Sequence, residues 1–403
     1  MSDASQLLLP LGFRFAAAKA GLKPSGRTDF ALIVADNAAS AAAAFTANRV
    51  TAAPLMVDKE NLHATGGKVR VVAINAGNAN CAAGEAGLAA ARATCAAAAR
   101  LFDCKPEEVF PSSTGIIGVP LPAEKLIAAL PALVESLGSE FDHFQAVAQA
   151  ILTTDTREKT AFARFTIADK EIRIAALCKG SGMIHPQLVP HATMLVYILT
   201  DADISPKNLD AYLRQSIEVS FNRISVDGDT STNDTVLLLA SGAGGATIGP
   251  GDVAFAAALT QVCTSLARQI VADGEGIAHV VELHIEGAAS DADALRVAKA
   301  IAHSPLVKTA WAGADPNWGR LIAAIGYSGA QIDPYRIDIQ FGELPVCLNG
   351  GRAAGFDEFA AHAYIAQSEF SITIQLHQGT GSCVFWTTDL THEYIRINAD
   401  YST

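Results

Sequence analysis

A chain of 403 residues, half of them hydrophobic and with a formal net charge of −12, has ample core material and no electrostatic reason to seek nucleic acid or an anionic membrane. Lys and Arg form no block, so small molecules are the expected partners. Seven cysteines without a CxxC pair suit reduced thiols in a cytosol and argue against a disulfide framework or a thiol-held metal.

The opening MSDASQLLLPLGFRF carries Asp3, lacks a basic lead and is broken by Pro10, so no signal peptide is expected. Even the alanine-rich run 88–101 is interrupted by Arg92 and Arg100, which leaves no uncharged stretch of membrane-spanning length. The chain reads as cytoplasmic. Runs 30–35 (FALIVA) and 69–75 (VRVVAIN) are short, branched and apolar, as buried strands are. The second leads into the asparagines Asn75, Asn78 and Asn80, which either bind a ligand or simply turn the chain; strong helix formers follow over 85–102.

Segment 109–118 (VFPSSTGIIG) places Ser112, Ser113 and Thr114 before Gly115. A glycine-containing turn there can aim backbone amides at a ligand oxygen. Helical periodicity covers 123–137 and 144–152 and leads to Thr153-Thr154-Asp155-Thr156, a cluster that caps, turns or binds. Strands are expected at 162–167 and 172–177 around the polar turn 168–170, the second delivering Lys179.

The stretch 178–197 (CKGSGMIHPQLVPHATMLVY) joins a loop with Gly180 and Gly182 to the Ala192-Thr193 step, after which a β-branched strand runs over 194–199. A hydroxyl at such a loop-to-strand junction is well placed for chemistry, and the glycines permit backbone angles other residues resist. Ser205 and Pro206 open a helix. In 220–234 (SFNRISVDGDTSTND) the acids Asp227, Asp229 and Asp234 are misplaced for a calcium loop and are assigned to local hydrogen bonding.

A long helix, 254–271, ends at Asp273-Gly274-Glu275-Gly276, where Glu275 either ends the helix or recognises a ligand. A strand at 280–285 and a helix at 291–301 precede Arg320, which either binds an anion or pairs with Asp315. The tail YIRINADYST is expected to dock. No repeat or linker divides the chain, so the class is α/β or α+β with helix-covered sheets.

GNAN at Gly77, STGIIG at Ser113, TTDT at Thr153, KGSGMIHP at Lys179, ATML at Ala192, VDGDTSTND at Val226, DGEG at Asp273, LVKTA at Leu306, DPNWGR at Asp315 and INADY at Ile397 together resemble the ornithine acetyltransferase family, in family order and over nearly the whole chain. The resemblance implies an αββα sandwich-like fold and self-cleavage between Ala192 and Thr193. It further implies fragments 1–192 and 193–403 assembled as a heterotetramer with two copies of each. By the same resemblance Thr193 is the nucleophile, Thr114 and Gly115 are oxyanion-hole positions, and Thr153, Lys179, Thr193, Glu275, Asn398 and Thr403 contact substrate. The implied reaction moves an acetyl group from N2-acetylornithine to glutamate through an acetyl-threonine, with no cofactor or metal; acetyl-CoA stays open as a second donor.

The chemistry fits those residue types. The Thr193 hydroxyl can attack the Ala192 carbonyl, giving an ester that water opens; the freed α-amine can then serve as the base for the same hydroxyl. Three positions depart from the family: five residues, 187–191, separate Pro186 from the Ala-Thr step, His279 stands where lysine is usual, and Ser402 where arginine is common. Two other readings stand beside the transferase: a self-processed amidohydrolase or aminopeptidase in which water resolves the acyl-enzyme, and an uncleaved, non-enzymatic paralogue.

Overall fold

In the computed structural model the described residues are 9–167, 169–186 and 194–400, so the expectations placed on Ala192, Thr193 and Thr403 lie outside them. The first sheet contains β1 (Phe13–Ala18), β2 (Phe30–Phe45), β3 (Lys68–Asn78), β4 (Val109–Ile116), β5 (Lys159–Ile167), β6 (Lys170–Lys179), β7 (Leu195–Thr200) and β8 (Thr235–Ala240). Its order is β4-β3-β2-β8-β7-β6-β5, with β1 paired to β2. The second sheet holds β9 (Val280–Ala288), β10 (Asp338–Phe341), β11 (Leu344–Leu348), β12 (Gly351–Arg352), β13 (Glu369–Gln375) and β14 (Gly381–Thr388), in the order β12-β11-β10-β13-β9-β14.

Helices α1 (Ala53–Thr65), α2 (Gly84–Phe102), α3 (Ala123–Glu135) and α4 (Phe141–Ala150) belong to the first half; α5 (Pro206–Glu218) and α6 (Val253–Val271) follow β7 and β8. The second sheet is served by α7 (Asp291–Ala302), α8 (Pro305–Ala312), α9 (Trp318–Gly326) and α10 (Glu358–Ile365), and the tail forms α11 (His392–Asp400). This is the helix-covered, two-sheet α/β arrangement expected of an αββα sandwich-like fold. Among the described residues no helix is long and apolar enough to cross a membrane.

The sequence explains the layering. Every residue of β7 is buried, as befits a run apolar on both faces and set between two neighbours. Ile174, Val196 and Leu238 pack one way against Leu213 of α5 and Leu259 and Leu266 of α6. Leu177, Tyr197 and Leu237 pack the other way, with Phe144 of α4. A further layer sets Leu32 and Val71 against Ala91 and Ala98 of α2 and Leu126 of α3. In the second sheet β13 alternates between buried and half-exposed residues, so Ile372 and Ile374 meet Val297 and Ile301 of α7 while the other face stays partly wet. Each such side chain contributes about 1.5–3 kcal/mol by leaving water.

Two elements differ from the sequence expectation, and the tail takes a form for which the sequence set none. Strand β2 does not stop at residue 35: its register against β3 shifts between Val34 and Ala39, and the alanine run then pairs with β8 from Ser40 to Phe45. Alanine is a weak strand former alone, and cross-strand pairing overrides that preference. Residues 109–116 are not a turn but β4, parallel to β3 with Gly77 opposite Gly115. The tail is helical, anchored by the Thr391 hydroxyl donating to the Gly276 carbonyl.

Candidate functional site

Strands β3, β4 and β6, and the loops preceding β5 and following α6, converge on a cavity of about 360 Å3. Thr114, Gly115, Thr153, Lys179, Glu275 and Asn398 all line it. Chain segments far apart in sequence thus bring six of the nine expected site residues to one place. Met194, where the described chain resumes after residues 187–193, lines it too.

One wall is the paired ends of β3 and β4. Gly115 has φ +133, and a Cβ added there would come within 2.3 Å of the Gly77 carbonyl carbon, so the two strand ends approach at a distance other residues forbid. Buried amides set this wall. The Asn233 side chain donates to the carbonyls of Ala79, at 2.6 Å, and Ser113, at 2.9 Å. The Ser113 hydroxyl donates to Asn75 Oδ1 at 2.6 Å, and Asn75 Nδ2 to the Asn78 carbonyl at 2.8 Å. Asn75 and Asn78, at the end of β3, therefore shape the wall from behind and do not line the cavity.

The opposite wall is charged. Lys179 ends β6 with its Nζ 3.9 Å from Asp155 Oδ2. Burial works to raise the Asp155 carboxyl, but the ammonium groups of Lys179 and Lys159 and hydrogen bonds from Lys159 and the Gly180 amide outweigh it, so the group is held well below the ordinary carboxylate range. Asp227, Asp229, Asp234 and Glu275 line the same cavity, a predominance of acid. Such a pocket accommodates an amino acid's carboxylate at Lys179 and an ammonium group at its acids.

Asp227 is not confined to its own turn. Its carboxylate accepts from the Met183 amide at 2.6 Å and the Ile184 amide at 2.8 Å, as well as from Asp229 N. Met183 is thereby held at φ 56, a left-handed conformation uncommon for a residue with a side chain. Burial raises the Asp227 carboxyl above its ordinary value, and the three backbone donors only partly offset this. The Tyr394 hydroxyl of α11 reaches the same carboxylate at 3.3 Å.

Glu275 is no mere helix end. Its amide donates to the Ser181 carbonyl at 3.1 Å, its carboxylate accepts from Asn398, and a Cβ at Gly182 would collide with that carboxylate. Arg320 sits elsewhere and does not pair with Asp315: it donates to the Leu306 carbonyl at 2.6 Å and the Thr309 hydroxyl at 3.4 Å, while Asp315 accepts from Asn317. Among the described residues no group of three or more His, Cys, Asp or Glu is arranged to hold a metal ion.

Several residues of this region are not marked out by the sequence. Asp155 and Asp273 stand inside the motifs TTDT and DGEG, and Tyr394 inside the tail, without an expected role. Lys159, fully buried, carries no local signal, since a lysine opening a strand ordinarily faces water.

A model of the ArgJ family matches residues 14–403. The arginine biosynthesis bifunctional protein ArgJ of Geobacter sulfurreducens is 44% identical over 396 residues, covering 97% of this chain and 99% of that protein. Its counterpart in Rhodopirellula baltica is 42% identical over 404 residues, covering 98% and 97%. The crystal structure of the Bacillus halodurans arginine biosynthesis bifunctional protein is 44% identical with a TM-score of 0.50, covering 52% of this chain and 100% of that one.

Proposed function

The chain belongs to the ArgJ family, and from that premise we propose that it moves the acetyl group of N2-acetylornithine to glutamate through an acetyl ester on Thr193, after cutting itself between Ala192 and Thr193. It is an enzyme of arginine biosynthesis, as its curated relatives are named to be. The observation that carries the detailed reading is the convergence of Thr114, Gly115, Thr153, Lys179, Glu275 and Asn398 on one cavity, which the chain re-enters at the residue following Thr193.

In this reading the Thr193 oxygen adds to the Ala192 carbonyl, the Ala192–Thr193 amide breaks to an ester, and water releases the Ala192 carboxylate and an intact threonine with a free α-amine. That amine, with a pKa of about 7.7–8.0 for such groups, takes the hydroxyl proton as the oxygen attacks the acetyl carbonyl. Thr114 and Gly115 face the tetrahedral oxyanion. The proton passes to the departing α-nitrogen of ornithine; glutamate's α-amine then attacks the threonine ester and restores the hydroxyl. Lys179 holds the amino acid's carboxylate, and the acids of the cavity hold the ammonium of ornithine. Both halves are acyl exchanges on one oxygen, so no cofactor or metal is required, and acetyl-CoA is admissible as a further donor for making N-acetylglutamate.

The solved relative's chain is matched along its whole length by about half of this one, the size of either proposed fragment, which supports cleavage. A cytosolic assembly of two copies of each fragment completes the proposal. Incubation with N2-acetylornithine alone, followed by mass spectrometry, tests it: one acetyl group should appear on the fragment beginning at Thr193, and exchange should follow ping-pong kinetics. No adduct, together with intersecting initial-rate lines, would overturn the mechanism.

A further inference from the structure

Lys159 opens β5 with no exposed surface. Its ammonium donates to Asp155 Oδ1 at 2.7 Å and to Asp273 Oδ2 at 2.5 Å. Each carboxylate then reaches one or more further loops. Asp155 accepts from the Thr153 amide at 3.1 Å and the Gly180 amide at 2.6 Å and lies beside Lys179. Asp273 accepts from the Thr156 amide at 3.1 Å and from the Thr156 hydroxyl. The Asp273 carbonyl receives the Ser181 hydroxyl at 2.8 Å, and the Ser181 carbonyl receives the Glu275 amide at 3.1 Å. The loops carrying Thr153, Lys179 and Glu275 are therefore stitched to one another, and the common member is a lysine that does not line the cavity.

We infer that Lys159 is a positioning residue for substrate, its buried ammonium fixing the mutual register of the loops that present Thr153, Lys179 and Glu275. The inference rests on the proposed reading of those three as substrate contacts. Two carboxylates that would otherwise repel and spring apart are clamped at hydrogen-bond distance, and each is further oriented by backbone amides, so the clamp fixes direction as well as distance. Burial works against the charge on Lys159 but is outweighed by the Asp155 carboxylate and the hydrogen bonds to both acids, which keep it protonated. The oxyanion wall stands on β3 and β4, outside this network. Loss of the clamp should therefore damage substrate binding more than acyl chemistry.

The test compares Lys159→Met with the double variant Lys159→Met/Asp273→Asn, which removes one cation and one anion together. For each, KM for N2-acetylornithine, kcat per active site (from the stoichiometry of acetyl-enzyme) and the melting temperature are measured. Positioning predicts that KM rises about 30-fold in both variants with kcat within about 3-fold, while the double variant recovers the melting temperature. If Lys159→Met does not fold, the double variant carries the test. A double variant with both KM and melting temperature near wild type would show that Lys159 only balances charge, and the inference fails. Lys179→Ala and Glu275→Gln are measured alongside: if they leave KM unchanged, the reading of the substrate contacts fails instead.

Discussion

The Asn398 side-chain amide donates to the Glu275 carboxylate at 3.0 Å, so the last helix of the chain holds the loop that comes after α6. Tyr394 and Thr391 add bonds to Asp227 and to the Gly276 carbonyl, and yet α11 has no buried residue. Polar bonds with little apolar burial contribute about 1 kcal/mol each, too little for α11 to be a pillar of the fold. Its removal should thus be felt in the cavity and not in the core.

Deleting residues 398–403 should lower kcat/KM for exchange by roughly 100-fold while shifting the melting temperature by no more than about 2 °C. Steady-state kinetics and calorimetry on the truncated protein decide it. An unchanged kcat/KM would make the tail purely structural.

Freshly purified protein should give two fragments meeting at Thr193 in denaturing mass spectrometry, and Thr193→Ala a single intact chain. The demands are local: a hydroxyl beside a polarised carbonyl, and a strand, β7, anchoring the chain just beyond it. The residues 187–191 add chain length before the step, which costs little entropy. Folded wild-type protein that stays in one piece would remove self-processing and favour the uncleaved paralogue.

Gly182→Ala puts a methyl group 2.4 Å from the present position of the Glu275 carboxyl carbon. The obstacle is the far end of a side chain, so the carboxylate swings aside and the backbone stays. KM for N2-acetylornithine should rise roughly 10-fold at nearly constant kcat and melting temperature, as loss of a binding contact does. A kcat effect at constant KM would place Glu275 in the chemistry itself.

His303 donates to or accepts from the Ser225 hydroxyl at 3.1 Å and meets the His185 ring edge-on at 4.2 Å. Burial first, then the charges of Lys308 and Lys299, hold it down to about 4 from 6.5. Between those values the unfolded chain takes up a proton that the native state refuses. The associated stability is complete above pH 6.5 and is lost as pH falls towards 4, with a limiting slope of roughly 1.4 kcal/mol per pH unit. Denaturant midpoints measured from pH 7 to pH 4 should fall less steeply for His303→Gln than for wild type; parallel curves would exclude His303 as the source.

Much of the site is written in short range. Gly115, Lys179 and Glu275 stand beside glycines or hydroxyls whose backbone demands are visible in a few letters, and the loops they mark do converge. Strand β7 is legible because a fully apolar run has few other uses. The hidden part depends on distant partners. Lys159 reads as a solvated charge until Asp273, 114 positions away, is placed against it. Asp227 reads as a turn residue because its bonds to Met183 and Ile184 span more than forty residues. The alternation of β13 is visible locally, but nothing local tells that it runs parallel to β9.

The order of the first sheet sets β7 and β8, which lie after residue 193 in the chain, between β6 and β2, which precede it. A cut at that step would therefore leave a nick and not a separable pair: each fragment alone would expose hydrogen-bonding edges where its sister's strands belong. Dilution of the native protein should not pull the pieces apart, but unfolding would release two chains, so its midpoint should rise with protein concentration in the cleaved protein and not in an uncleaved one. Two halves produced from separate genes would have to weave one sheet together during folding, so reconstitution should succeed when they are synthesised side by side and fail when each has first collapsed alone.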